Sequence, residues 1–104
     1  MKLCNEKDVV FKYGTFGPKY LFTEDAFSGG VAYITAGEEL KEHLHEDETE
    51  VFYFINGTPL FIIDGSEKRV KPGDGFTVFS KEKHCVKNDT KETISFVFVK
   101  VNES

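Results

Sequence analysis

Short runs of aromatic and β-branched residues, separated by clusters of Gly, Pro, Asn and Asp, constrain the fold of this chain most. No segment places apolar residues at helical spacing over a useful length. Runs of this kind, with closely spaced turn residues, are typical of an all-β sandwich or barrel. We predict roughly nine to ten strands, with candidates within residues 8–13, 19–23, 31–35, 37–45, 51–56, 58–64, 67–71, 76–79, 84–87 and 94–101.

Turn residues support this division of the chain. Asp64-Gly65 lies between two candidate strands, and an Asp-Gly pair in that position is a strong signal for a β-hairpin. Pro72-Gly73-Asp74 predicts a turn that sets the chain direction, with no chemical role for its aspartate. A further turn is predicted over Gly14, Gly17 and Pro18, and the third strand is predicted to follow Gly29-Gly30.

Length and charge narrow the functional classes. The 104 residues are the size of one domain, so we predict a single domain over residues 1–104. A net charge of −5 without a basic stripe argues against binding to nucleic acid or to an anionic membrane. No apolar run is long enough for a membrane span, and the N-terminus does not resemble a signal peptide. Cys4 and Cys85 form no metal or redox motif, which favours reduced thiols in a cytoplasmic protein.

Two histidines and a glutamate point to a metal site. His43 and His45 are two residues apart, so a strand would place both imidazoles on one face. Glu50 begins the next apolar run, and a hairpin-like return would bring it level with them. Imidazole and carboxylate groups suit divalent first-row metals, and His84, the one remaining histidine, is a candidate fourth ligand. The alternative is a solvated acidic turn with two incidental histidines.

The same residues resemble the first conserved motif of the cupin family. The five matching positions are Gly37, His43, His45, Glu50 and Gly57. The second cupin motif is partly present, in Pro72-Gly73-Asp74, His84 and Asn88. Two positions depart from it, since the family usually has proline and glycine where this chain has Phe79 and Lys81.

The resemblance implies a double-stranded β-helix, which is a jelly-roll barrel. It also implies a site in which His43, His45, Glu50 and His84 hold iron, manganese, nickel, cobalt, copper or zinc. Four protein ligands leave two positions open on an octahedral metal, where substrate, dioxygen or water can bind. Cupins that resemble this chain include dioxygenases, isomerases and modules that bind sugars or effectors, so the fold alone does not fix the function.

Strand alternation predicts which side chains surround the metal. Residues two apart on a strand share a face, so Phe52 accompanies Glu50 and Val86 accompanies His84. Lys41 shares the parity of the motif histidines, either as a rim charge or as a group that holds an anionic ligand. The predicted substrate-pocket residues are Lys41, Phe52, Phe61 and Val86.

Two functional classes follow from this reading. One is a metal-dependent enzyme, of dioxygenase or other oxidoreductase type, that acts on a small organic molecule. An isomerase is a less favoured enzyme, because it needs a base in the pocket and Lys41 is the one inward candidate. The other class is a non-catalytic cupin that binds a small ligand, with the metal as an anchor.

A homodimer is the predicted assembly. Cupins of this size are commonly dimers, and the run from Val51 to Ile55 is apolar on both faces. Its outward face, formed by Val51, Tyr53 and Ile55, therefore needs cover. The alternative is cover by the N-terminal strands of the same chain.

Overall fold

The computed structural model describes residues 1–43 and 46–103, with the backbone alone for residues 42 and 43. A 3-10 turn, Glu6–Asp8, precedes nine strands in this part of the chain. The strands are β1 Gly17–Thr23, β2 Phe27–Ile34, β3 Glu39–His43, β4 Glu48–Asn56, β5 Leu60–Ile63, β6 Ser66–Arg69, β7 Gly75–Val78, β8 His84–Lys87 and β9 Ile94–Asn102. No helix in the described residues has the length and apolar character needed to cross a membrane.

The strands form two antiparallel sheets, which confirms the all-β prediction. The larger sheet has the order β1-β2-β9-β4-β7, and the smaller one has the order β3-β8-β5-β6. Apolar residues that alternate along β4 and β9 meet those of β5 and β8 between the sheets. Phe54, Phe61 and Phe96 are fully or almost fully buried there, and each contributes about 1.5–3 kcal/mol of burial free energy.

The predicted strand within residues 8–13 is wrong. Asn5 accepts a hydrogen bond from the backbone N–H of Lys7 and caps the 3-10 turn, which takes up Asp8 at the start of this segment. Val10 is left exposed, and no strand is recorded here. Phe11 instead packs edge-on against the ring of Tyr33 at 5.9 Å, on the outside of the larger sheet.

The turn predicted over Gly14, Gly17 and Pro18 lies directly before β1 and ends where Gly17-Pro18 begins that strand. Gly29-Gly30, predicted to precede a strand, instead lies within β2. A Cβ at Gly29 would collide with the carbonyl oxygen of Phe98, and one at Gly30 with that of Lys19. These glycines therefore allow the neighbouring backbones to approach closely, which is a second role of glycine in strands.

The Asp64-Gly65 hairpin is confirmed. Ile63 pairs with Ser66 across a two-residue loop, and both loop residues have positive φ, 48° and 81°, as a type I′ turn requires. Asp64 also holds the segment before β8: its Oδ1 accepts the N–H of Lys83 at 2.9 Å, and its own N–H donates to the Lys83 carbonyl at 2.8 Å. The hairpin thereby fixes the chain next to His84.

Lys81 stands where the second cupin motif usually has glycine, yet it keeps the backbone geometry of the loop. The N–H of Glu82 donates to the carbonyl of Phe79 at 3.2 Å, which closes a four-residue turn. Lys81 is the third residue of this turn and has a φ of 72°, in the region where glycine is favoured. The chain keeps the glycine conformation with a lysine in place.

Replacing Lys81 with glycine should therefore stabilise the fold. Relief of the positive φ outweighs the added flexibility of the unfolded chain, so the free energy of unfolding should rise by up to about 1 kcal/mol. Urea unfolding measures the difference. Lys83→Gly is the matched control, because no positive φ is recorded there, and it should lower stability by about 0.4–1 kcal/mol. Equal losses in both variants would contradict this account of the turn.

The outer face of β4 is not covered by the N-terminal strands. β1 and β2 continue the same sheet beyond β9, so they lie beside β4 and not over it. Val51, Tyr53 and Ile55 remain 37%, 55% and 42% exposed. The homodimer stays a prediction, with this face as the surface that a second copy would bury.

Replacing Tyr53 with aspartate should disrupt that dimer. A two-fold interface would place the new carboxylates close together on an apolar surface, where neither is solvated. Light scattering at tens of micromolar should show a dimer for the native chain and a monomer for Tyr53→Asp. Val10→Asp, on an exposed residue outside the sheet, should leave the dimer intact. A monomeric native chain at this concentration would rule out the interface.

Candidate functional site

A cavity of about 550 Å³ opens at one end of the space between the sheets. Its walls are mainly apolar, and its polar groups come from several different strands and from the N-terminal segment. The apolar lining consists of Phe16, Pro18, Ala32, Leu40, Phe52, Val86, Phe96 and Phe98. The polar lining consists of Lys12, Tyr13, Tyr20, Glu39, Lys41, Glu50, His84 and Lys100. This volume is typical of small-molecule sites.

Glu50 and His84 meet at the wall of this cavity. Glu50 lies on β4 of the larger sheet and His84 begins β8 of the smaller one, so the pair bridges the two sheets. Oε1 of Glu50 is 3.2 Å from Nε2 of His84. Both side chains are almost fully buried, with 5% and 1% of each residue exposed. Buried ionisable groups in such contact are a common feature of functional sites.

The other ring nitrogen of His84 is held by the backbone. Nδ1 lies 3.3 Å from the carbonyl oxygen of Glu82. A carbonyl oxygen only accepts hydrogen bonds, so this contact selects the tautomer with a proton on Nδ1. Nε2 then faces the carboxylate either with a second proton or with its lone pair directed at a cation. Metal-binding histidines are commonly oriented by such a bond to a backbone carbonyl.

Of the four predicted metal ligands, Glu50 and His84 are the two whose side chains the structure describes. Among the side chains that the structure describes, no third His, Cys, Asp or Glu joins them in a metal-binding group. The backbone of His43 lies directly opposite His84 in the β3–β8 pairing, but its side chain is not described. His45 lies outside the described residues. The four-ligand site therefore stays a prediction, and the buried imidazole–carboxylate pair fits the donors it requires.

Lys100 is a cavity residue that the sequence reading missed. It lies on β9 directly opposite Glu50. Its Nζ donates a hydrogen bond to the hydroxyl of Tyr20 at 2.8 Å and lies 5.4 Å from the centre of that ring. Alternation could have revealed it, because Phe96, Phe98 and Lys100 share one face of the strand.

The surroundings keep Lys100 protonated. Burial lowers the pKa of its ammonium group, but the hydrogen bond to Tyr20 and the nearby carboxylates of Glu50 and Glu48 outweigh that effect. The pKa therefore lies above its ordinary value, and the cavity contains a fixed positive charge beside the Glu50–His84 pair.

Comparison with known proteins decides the family. The family model described as the cupin domain matches residues 30–100. The chain is a member of the cupin family. No curated protein matches its sequence. Among solved structures it is similar to a protein from Thermus thermophilus, with 17% identity, a TM-score of 0.83 and full coverage of both chains.

Two further solved structures share the cupin fold. A predicted oxalate decarboxylase from Thermotoga maritima is 20% identical, with a TM-score of 0.81 and coverage of 97% of this chain and 99% of that chain. KdgF from a Halomonas species is 14% identical, with a TM-score of 0.81 and coverage of 100% and 96%. At these identities the similarity shows the fold, which confirms the predicted cupin jelly roll.

The predicted pocket residues of this cupin lie in two layers. Lys41, Phe52 and Val86 border the cavity. Phe61 does not border it and lies behind Phe52, with 5.0 Å between the two ring centres. It is fully buried and contacts the ring of Phe76 at 4.7 Å, away from the cavity, so its place is in the core.

Asn88, a second-motif residue, has a structural role in this cupin. It is buried, and its Nδ2 donates to the carbonyl oxygens of Ile34 at 2.8 Å and Glu92 at 2.7 Å. Its Oδ1 accepts the N–H of Thr90 at 3.1 Å. The side chain thus joins the end of β2 to the loop that follows β8, and it satisfies backbone groups that would otherwise be buried without partners.

Asn88→Ala should lower the free energy of unfolding by at least about 1–3 kcal/mol, because it leaves the carbonyl of Ile34 without this donor. Urea unfolding measures the loss. Asn56→Ala, at an exposed strand end, should change stability by less than about 0.5 kcal/mol. A neutral effect of Asn88→Ala would mean that water replaces the side chain.

Proposed function

We propose that this cupin is a metal-dependent enzyme, of dioxygenase or other oxidoreductase type, that acts on a small organic molecule. The observation that carries the proposal is the buried contact between Glu50 and His84 at the wall of a cavity. In the proposal, His43 and His45 complete the ligand set. The backbone position of His43 opposite His84 supports this assignment.

The donor chemistry supports a divalent transition metal. An imidazole nitrogen and a carboxylate oxygen suit iron, manganese, nickel, cobalt, copper and zinc, and they do not select among these metals. A bound metal of this kind supplies Lewis acidity and open coordination positions for substrate or dioxygen. The bond from His84 Nδ1 to the Glu82 carbonyl would keep Nε2 directed at the metal position.

The cavity favours oxidative chemistry over proton transfer. Phe52, Val86 and Leu40 provide apolar wall beside the Glu50–His84 pair and carry no acid–base group. A proton-shuttling isomerase needs a base beside its substrate. Lys100 is a poor base because it is held as an ammonium ion, and Lys41 is exposed at the rim. Glu50 and His84 are assigned to the metal.

A ligand-binding cupin is the second candidate. The specific observation in its favour is that most of the cavity surface is apolar, with several aromatic rings in its walls. Such a cavity can hold a sugar or another small effector without chemistry, with the metal as an anchor.

Both candidate functions include a bound divalent metal, and metal analysis tests this common requirement. Purified protein should contain up to one divalent ion per chain, and the double variant Glu50→Ala/His84→Ala should lose it. Glu67→Ala, on the exposed strand β6, is a control that should keep the metal. Circular dichroism checks that each variant is folded. Stoichiometric metal in a folded double variant would refute the ligand set.

Oxygen uptake distinguishes the two candidates. The protein is loaded with iron(II), copper(II), manganese(II) or zinc(II) and is offered flavonols, thiols and small diketones. Uptake that requires a redox-active metal and is lost in Glu50→Ala supports the enzyme. No uptake with any metal, together with tight binding of a small molecule by calorimetry, supports the binding module.

The cellular setting is part of the proposal. Neither Cys4 nor Cys85 forms a disulfide, and reduced thiols favour the cytoplasm. The net charge of −5 supports a small-molecule partner over nucleic acid or an anionic membrane.

A further inference from the structure

Lys100 places a positive charge inside the cavity without an opposing carboxylate in contact. Its ammonium group is partly buried. Among the described residues, it donates a hydrogen bond to the hydroxyl of Tyr20. No ion pair of Lys100 is recorded there either, although Glu50 lies opposite on the neighbouring strand. An ammonium group has three hydrogen-bond donors, and the bond to Tyr20 uses one of them.

The cavity rim adds charges of the same sign. Lys12 and Lys41 are exposed residues at the edge of the same cavity. Of the two carboxylates in the lining, Glu39 lies 3.9 Å from Lys87, and Glu50 contacts His84. Lys12 and Lys100 therefore place positive charge at this opening, in a chain whose net charge is −5. Positive charge at the mouth of a cavity attracts small anions.

We propose that Lys100 and Tyr20 bind the carboxylate of a ligand whose apolar body lies against the aromatic walls of the cavity. This inference rests on the proposed small-molecule function and names its ligand class. Lys100 donates to one carboxylate oxygen. The Tyr20 hydroxyl accepts from Lys100, and its own hydrogen is donated to the other oxygen.

The walls define the rest of the ligand. Phe96 and Phe98 precede Lys100 on the same face of β9, and Phe52 lies beside them on β4. A body of aromatic or alicyclic carbon next to the carboxylate would pack on these rings. The volume of about 550 Å³ accommodates a small acid of this kind. The ligand class is therefore an arylalkanoic or alicyclic carboxylic acid.

Paired acids and amides test the inference on metal-free protein. Chelator-treated protein is titrated by calorimetry with phenylacetate, hydrocinnamate and cyclohexanecarboxylate, and with the neutral amide of each. We expect at least one acid to bind about tenfold more tightly than its amide, because the charge-assisted bond is made to the acid alone. Equal affinity within every pair, or no binding of any acid at millimolar concentration, would overturn the proposal.

Variants assign the effect to the proposed residues. Lys100→Met should abolish the preference for acid over amide, and Tyr20→Phe should weaken acid binding several-fold. Lys68→Met, on the exposed strand β6, is the matched lysine control and should preserve the preference. A folded Lys100→Met that keeps the preference contradicts the assignment. If that variant does not fold, amide chemical-shift mapping of the native protein decides: shifts centred on β1 and β9 support the site, and shifts elsewhere refute it.

The acid-binding experiment can succeed or fail independently of the proposed metal centre. Lysine-dependent acid binding by a protein that takes up no metal would support this site and refute the metal centre. A protein that binds metal through Glu50 and His84 but shows no preference for acids would support the metal centre and refute this site.

Discussion

The contact between Glu50 and His84 depends on how the two sheets pack, and the proposed chemistry of the cavity depends on that contact. β4 is paired on both sides, with β9 and β7, and β8 is paired on both sides, with β3 and β5. Neither residue can move far without breaking two ladders of backbone hydrogen bonds. The distance between Oε1 of Glu50 and Nε2 of His84 is therefore set by the packing of the whole barrel. This rigidity is what a preorganised site requires.

Phe52 separates the interior into a packed region and an open one. On one side its ring contacts Phe61, at 5.0 Å, and Phe96, at 5.5 Å, within the aromatic core. On the other side it borders the cavity, with its ring centre 5.8 Å from that of His84. The close-packed end provides most of the burial that stabilises a small barrel. The open end can then carry polar groups that a fully packed core would exclude.

Local sequence signals predicted what depends on local geometry. The Asp64-Gly65 turn and the strand alternation that points Glu50 inward follow from backbone conformation alone. Features that depend on tertiary contacts could not be predicted in this way. Alternation assigns Phe61 to an inner face but cannot give its depth along the barrel. The Gly29-Gly30 pair indicates a strand boundary, because the sequence does not show how closely neighbouring strands approach. Lys100 was missed because a lysine near a strand end is usually solvated.

In the proposed metal centre, the position of His84 as the first residue of β8 makes strand register a determinant of metal preference. The bonds from the Asp64 hairpin to Lys83 hold that register. A slip of one residue would exchange the faces of every side chain on the strand. Cys85 would then face Glu50 in place of the imidazole, and a soft thiolate would replace a nitrogen donor. Such a barrel would select softer ions, such as copper(I) or zinc. A surface turn that supplies no ligand would thus help to decide which metal the proposed site can hold.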